Sequence, residues 1–384
     1  MRINSSRFMA YTMFVYFLLT PLDFVTIIPG ISLVRIIVLL PLLGLFLNFQ
    51  NITFKMNKQL FLMLVFIFFL FSTLVYSIDF SATLSRIMSI IQNLFLIIIV
   101  SQIKFTKTDI SVLIKGLFLG GVLTIVLLIA FMEPLGSSYR ISIIIDGVYQ
   151  DPNYLIGYLL FTSVFCFSKI IDHRKFIYFL IYIIIFVFVL LTGSRGGMVA
   201  FILSMISYIL LLSRSMKIII RNIVVVILLI TVMYFISNIL IPGELLSRYT
   251  IAYSINDSGA GRIMIWESAL YNFANSPFVR QIFGWGPNTI RQFTIGNAVA
   301  HNLWIESLLE VGVLGFFVLL LIYYTFVKLS FKHDLFILFS VLLGLIFMTL
   351  TLSLYSYKPI WNVFLMILII YRFNLSNKEN QIRL

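Results

Sequence analysis

The sequence predicts an all-α polytopic membrane protein, a single integral membrane domain over residues 1–384 with one large extracytoplasmic loop. Apolar residues make up 61% of it and charged residues 11%, with a mean hydropathy of +1.09; a soluble domain is roughly half apolar and a quarter charged. The apolar residues also fall in runs close to the ~20 that a helix needs to cross a bilayer. Solid runs such as Phe176 to Leu191 argue against a β-barrel, whose strands alternate apolar and polar residues over about ten positions.

Breaks at charges and turn residues give about twelve spans, approximately 8–28, 31–49, 59–77, 87–103, 111–132, 153–170, 176–192, 196–213, 222–240, 302–326, 335–353 and 356–371. The first follows Met1-Arg2-Ile3-Asn4-Ser5-Ser6-Arg7. Its run is too long for a signal peptide and no small-residue cleavage site follows, so it is expected to be retained. The last span is short. Cys166 is the single cysteine and sits in an apolar run, which leaves a small core thiol and excludes disulfides and thiolate clusters. Neither an internal repeat nor a low-complexity segment stands out, so the inverted-repeat pattern of many secondary transporters is not visible.

Charge gives the topology. With both termini in the cytoplasm, 18 of the 27 Lys and Arg residues fall inside and 9 outside, as the positive-inside rule requires. The net charge of +13 is then an orientation signal, and no nucleic-acid partner is implied. Asp109, Asp172, Asp334 and Glu379 are the only acids inside, so the cytoplasmic face is near +14 and the outer face near neutral. The outer bases are Arg35, Arg86, Arg140, Arg195, Arg248, Arg262, Arg280 and Arg291, with Lys358 the one lysine, whereas inside lysines outnumber arginines 11 to 7. A planar guanidinium binds phosphate through two parallel hydrogen bonds and stays charged in a partly dry site. The bias points to an anionic, phosphorylated substrate on the outer face. Any single arginine could equally snorkel to lipid headgroups, but snorkelling by itself would favour lysine as much.

Two outer connections are long: Glu133 to Pro152, and the main loop from about 241 to 301. Within the main loop, Gly261 through Tyr271 has the pattern of an amphipathic helix, with Met264 or Ile265, Ala269, Leu270 and Phe273 as its apolar stripe, expected along the membrane surface. Asn275-Ser276-Pro277 ends it, and Pro287-Asn288 opens a shorter helical piece towards Asn297.

Three motifs could carry chemistry. Thr192-Gly193-Ser194-Arg195-Gly196-Gly197 turns between the seventh and eighth spans; its glycines permit close backbone approach, and the next helix points its positive end at the same spot as Arg195. The alternative is an ordinary interhelical turn. Asp151-Pro152-Asn153 opens the sixth span, where Asp before Pro is a common N-cap. His301-Asn302 precedes Glu306 and Glu310, and Asn302, Glu306 and Glu310 share a helical face that must meet the bundle interior or a wet cavity. His301 has no second outer histidine and no HExxH spacing, so no catalytic metal is expected. It is either a proton acceptor for a hydroxyl nucleophile or a hydrogen-bonding cap.

The ordered set of Thr-Gly-Ser-Arg-Gly-Gly, Gly261-Arg262 with Trp266, Gly284-Trp285-Gly286-Pro287-Asn288, Ala300-His301-Asn302 and Glu310-Val311-Gly312-Val313-Leu314-Gly315 resembles the O-antigen ligase and polymerase superfamily over about residues 150–320. The N-terminal half matches in hydropathy alone. The resemblance implies a metal-independent, all-helical membrane glycosyltransferase, similar to the C-type glycosyltransferases. Such an enzyme takes a glycan from undecaprenyl diphosphate at the outer face of the bacterial cytoplasmic membrane and needs no cofactor. Carried over position by position, Arg195 and Arg262 are associated with the diphosphate and His301 with acceptor activation.

Arg291, Arg280, Arg248, Arg140, Arg35, Asp151, Asn153, Asn302 and Glu306 are the further candidates for substrate binding. Asp151, Glu267 and Glu306 are fallback bases should His301 be structural. The expected activity is a Wzy-type polymerase joining lipid-linked repeat units with inversion, with membrane lipid, a flippase and a chain-length regulator of the same pathway as further partners. The nearest alternative is an O-antigen ligase transferring to lipid A-core. A flippase or exporter would want cations along a path through several spans, and mid-span charge is sparse.

Overall fold

The computed structural model describes residues 5–28, 31–48, 52, 54–135, 139–173, 175–212, 216–250, 252, 253, 257, 261–377, 379 and 381–384. It is mostly helical, and among the described residues seven helices are long and apolar enough to cross a membrane. They are Lys58–Val75, Phe80–Val100, Lys107–Phe131, Pro152–Ile171, Arg195–Leu212, Gly312–Lys332 and Lys358–Ser376, joined by shorter apolar helices at Leu33–Phe46, Phe176–Leu191 and Phe336–Thr349. Seven helices therefore meet the length and hydropathy demanded of a span, against the twelve expected.

Two of the expected spans are broken. The 31–49 stretch begins as a strand paired with Thr26–Ile28, then forms Leu33–Ile37 and, after Val38, Leu39–Asn48. The 302–326 stretch splits into Leu303–Glu310 and Gly312–Lys332, because Gly312 takes a left-handed φ of +69° that a continuous helix excludes. Glu306 and Glu310 consequently sit on a short separate helix and not in a span. The connection after Lys107–Phe131 also folds into a three-stranded antiparallel sheet, Met132–Pro134, Ile141–Ile145 and Val148–Tyr149, which the all-α expectation did not contain.

Burial separates centre from periphery. In the Pro152–Ile171 and Lys358–Ser376 windows 78% of residues are buried, against 33–50% in the other five. These two helices form the middle, and the outer ones turn Phe68, Phe176 and Leu210 outward, as lipid-facing helices do. Small residues set the spacing, as in other membrane bundles: Gly344 lies on Ala200 and Ser204, and Gly121 on Thr162.

Side-chain bridges show which connections share an end. At one end Arg372 donates to the carbonyls of Ser101 and Lys55, and Arg7 and Ser6 hold Asp109. At the other, Arg140 donates to the Thr192 carbonyl at 2.9 Å and to Asn153 at 3.2 Å, Arg86 reaches Asn288 and Ser356, and Lys358 pairs with Asp23 at 2.5 Å. This second end carries the candidate site.

Candidate active site

The 261–301 segment is built around its own small apolar cluster. The Arg262–Ala274 helix starts after Gly261, whose φ is +72°, and turns Ala269, with Ile265, Trp266 and Phe273, onto Ile290, Ala300 and Leu309. Met264 and Leu270 lie on the exposed face, so the buried stripe is Ile265/Trp266/Ala269/Phe273. The helical piece expected after Pro287-Asn288 is two short 3-10 turns, Ile290–Phe293 and Ile295–Asn297.

The Gly284-Trp285-Gly286 turn closes this unit onto the Leu303–Glu310 helix. The N–H groups of Trp285 and Gly286 donate to the carbonyls of Leu309 and Glu310 at 3.1 and 2.9 Å, satisfying acceptors that a helix C-terminus otherwise leaves open. Gly284 and Gly312 are both left-handed, and a Cβ on Gly284 would collide with the Glu310 carbonyl, one on Gly312 with the Ile282 carbonyl.

His301 is fixed by its neighbours on both sides. Trp266 donates its indole N–H to the Ala300 carbonyl at 2.7 Å. Asn302 caps the following helix, its side-chain oxygen accepting from the N–H groups of Trp304 at 3.0 Å and Ile305 at 3.2 Å. His301 itself has φ +50°, an uncommon conformation for a residue with a side chain. Its Nδ1 is buried with no hydrogen-bond partner. Burial first, then the positive charges of Arg262 and Arg291, lower its pKa, while Asp151 opposes them. The imidazole is thus neutral near pH 7 and can accept a proton.

The arginines divide by what they already hold. Arg195 makes a bidentate pair with Asp257 at 3.1 and 2.7 Å and, with Arg248, flanks the Tyr253 ring at 5.7 and 5.6 Å. The Nε of Arg248 is buried and unpartnered. Arg140 is tied to Thr192 and Asn153; burial lowers its pKa, with Arg248 and Arg262 acting in the same direction and Asp151 against them. Arg262 is half-buried and its guanidinium has no hydrogen-bond partner among the described residues. Burial lowers its pKa too, and Asp151, Arg195 and Asp257 lie within electrostatic reach of it. Both guanidiniums start so high that they stay charged.

Arg291 is exposed, close enough to act on both His301 and Glu306. Arg280 is placed elsewhere: it lies over the Trp285 ring at 4.4 Å and the Tyr76 ring at 5.6 Å and donates to the Tyr76 carbonyl. Arg35 lines a separate cavity, donating to Ser89 at 2.5 Å.

The glycines of the Arg195 turn have packing reasons. Cβ atoms at Gly196 and Gly197 would strike Thr351 and Ile156, and Gly193, at φ +60°, lies beneath Arg140 and Leu245. Ser194 caps the helix by accepting from the Gly197 N–H at 3.1 Å. Tyr249 donates to the Leu190 carbonyl at 2.8 Å, holding the start of the main loop against this turn.

Behind His301 lies a carboxylate pair. Glu306 accepts from Ser353 and lies close to the His301 backbone, and Glu310 accepts from the Ile290 N–H at 3.2 Å. Burial pushes both carboxyls up, and Glu306 raises Glu310 further. Asp151 accepts from the backbone and side chain of Asn153, both at 2.7 Å, in the arrangement of a local cap. Glu267 is exposed on the Arg262–Ala274 helix.

Three members of the site had no role in the sequence reading, Asp257, Ser353 and Tyr154, whose hydroxyl donates to the Ser353 carbonyl at 2.8 Å; Arg86 figured there only as one of the outer arginines. Tyr154 lies within electrostatic reach of Glu306, Asp151, Arg86 and Arg262. Its place one residue after Asp151-Pro152-Asn153 was the one signal available. Among the described residues no three His, Cys, Asp or Glu side chains come together as a metal site would need.

Nothing among curated proteins matches the chain. Residues 180–320 match the family model described as O-antigen ligase. This stretch, just over a third of the chain, contains Arg195, Arg262 and His301, and its likeness supports a relation to the O-antigen ligase/polymerase superfamily.

Proposed function

We propose that this protein is a Wzy-type polymerase that joins undecaprenyl-diphosphate-linked oligosaccharide repeat units at the outer face of the bacterial cytoplasmic membrane. The observation that carries the reading is the pairing of an unsatisfied cation with an unsatisfied imidazole: Arg262 has no hydrogen-bond partner among the described residues and lies within electrostatic reach of His301, whose Nδ1 is also unpartnered. The positive-inside count puts this end of the bundle outside.

In this reaction the acceptor hydroxyl attacks the anomeric carbon from the face opposite the diphosphate. The anomeric C–O bond to phosphate breaks with its electron pair passing to the diphosphate, and the hydroxyl proton passes to His301. The product is inverted at that carbon. Arg262 and Arg195 stabilise the charge left on the diphosphate, at the place where it develops. Asp257 holds the fork of Arg195, so the donor takes over a guanidinium already oriented. The diphosphate also brings negative charge towards His301, which raises the imidazole's affinity for the incoming proton.

The family description favours a second reading, an O-antigen ligase that transfers to lipid A-core with the same donor chemistry. One assay separates the two: the purified full chain in liposomes with undecaprenyl-diphosphate-linked repeat units, with and without lipid A-core. A ladder of longer lipid-linked glycans identifies the polymerase and a single transfer to lipid A-core the ligase. Absence of any covalent product rejects both.

A further inference from the structure

A polar cavity of about 210 Å³ opens at the same end of the bundle, outside the arginine–histidine cluster. Asp23, Arg35, Lys358, Gln92 and four hydroxyl-bearing residues, Ser356 among them, line it, and among the described residues no aliphatic side chain does. Its charges are engaged within the protein. Lys358 is 5% exposed and pairs with Asp23 at 2.5 Å, Ser32 donates to the same carboxylate at 2.8 Å, and Arg35 donates to Ser89. An anion would find the Lys358 charge already answered. A ligand rich in hydroxyls, able both to donate and to accept, suits such a mixed polar lining. The half-buried Gln92 amide has no hydrogen-bond partner among the described residues, and it offers both a donor and an acceptor.

The cavity is also linked to the proposed site through Arg86. Ser356, in its wall, accepts from Arg86 at 3.4 Å. Arg86 lies within electrostatic reach of Glu306, and the Glu306 carboxylate lies close to the His301 backbone. Arg262 lies within electrostatic reach of His301, and Arg195 of Arg262. The sequence is thus diphosphate-binding arginines, imidazole, carboxylate, Arg86, cavity.

We propose that this cavity is a subsite for a neutral sugar ring of the acceptor glycan, placed so that the chain it holds presents a hydroxyl to His301. This rests on the glycosyl-transfer reading above. The test uses the full chain in liposomes and the repeat-unit oligosaccharide released from the host's own surface polysaccharide by partial hydrolysis. Gln92→Trp fills the cavity and should raise the acceptor KM more than tenfold, with kcat within about twofold; Gln92→Ala, which removes one amide without adding bulk, should raise it ~3–10-fold.

Unchanged acceptor KM in Gln92→Ala overturns the subsite, whether or not the Trp variant folds. Should the wild type transfer nothing, the catalytic reading fails by itself. Saturation-transfer NMR with the same oligosaccharide then decides the subsite: binding that Gln92→Trp abolishes upholds it, and no binding to the wild type rejects it.

Discussion

Two half-buried arginines at opposite ends of the bundle show how the same side chain serves structure in one place and chemistry in another. Arg372 spends its guanidinium inside the fold, on the Ser101 carbonyl at 2.8 Å, the Gln102 side chain at 2.5 Å and the Lys55 carbonyl at 2.5 Å, and so staples two connections to the end of the last helix. Arg262 has no such partner among the described residues and faces an imidazole and two carboxylates instead. Exposure does not separate the two residues, which are both half-buried. What separates them is the inventory of hydrogen bonds, because a desolvated cation left without partners is costly unless a ligand supplies them.

The largest effects should come from breaking the unsatisfied side of this contrast. His301→Ala is expected to lower kcat by ~10²–10⁴, the usual contribution of general base catalysis, while binding of the lipid-linked donor persists. Arg262→Gln should cost ~10²–10³ in kcat. Arg372→Lys should leave kcat within about twofold and lower the melting temperature instead; a catalytic collapse in Arg372→Lys with an intact melting temperature would undo the comparison.

An intermediate effect is expected at Arg195. Asp257→Asn removes the charge that competes with the donor for its fork, so donor KM should fall by ~3–10-fold, the worth of about one exposed ion pair. A rise in donor KM would mean that Asp257 orients Arg195 more than it competes.

The smallest effect is on pH dependence. His301 must be neutral to take a proton, so the acidic limb of kcat/KM follows its pKa and lies below the ordinary imidazole value, in the direction burial drives it. Arg291 lowers that pKa and Asp151 raises it. Arg291→Gln should therefore move the limb to higher pH and Asp151→Asn to lower pH, each by ~0.5. Shifts of the same sign in both variants would remove His301 as the titrating group.

Hydropathy made the helical segments legible, because apolar runs and charge breaks are local signals. It passed over the break at Gly312, where apolar residues continue on both sides and the backbone turns only to meet Phe283 and Gly284. The strands at 132–149 were hidden inside a connection read as a loop, because strands of two to five residues are too short to show an alternation. In the site, Arg195, Arg262 and His301 were found by motif order, and Arg140 and Arg248 by the outer arginine bias. That bias also brought in Arg280, which lies on aromatic rings, and Arg35, which lies in the polar cavity. Residue type marks which side chains can bind phosphate, and only tertiary contacts decide which are still available. Asp257 and Ser353 carry no local mark, since their roles exist only through partners about fifty or sixty residues away in sequence.

The closure of Gly284-Trp285-Gly286 onto the Leu303–Glu310 helix also sets the depth of the chemistry. The Gly312–Lys332 helix has 21 residues and rises ~32 Å at 1.5 Å per residue, about the ~30 Å thickness of a bilayer's hydrocarbon core. In the proposed orientation its first residue marks the hydrocarbon boundary, and the two main-chain bonds at that boundary tie the histidine-bearing segment to it. The Leu303–Glu310 helix runs back from that boundary, since Trp304 packs on Tyr323, eleven residues into the Gly312–Lys332 helix, so in the proposed orientation the imidazole is held at a set depth relative to a diphosphate whose polyprenyl tail stays in the oil. Turnover should then follow the thickness of the host bilayer, because thickening it would draw the lipid-anchored phosphates away from a histidine whose height the protein has fixed.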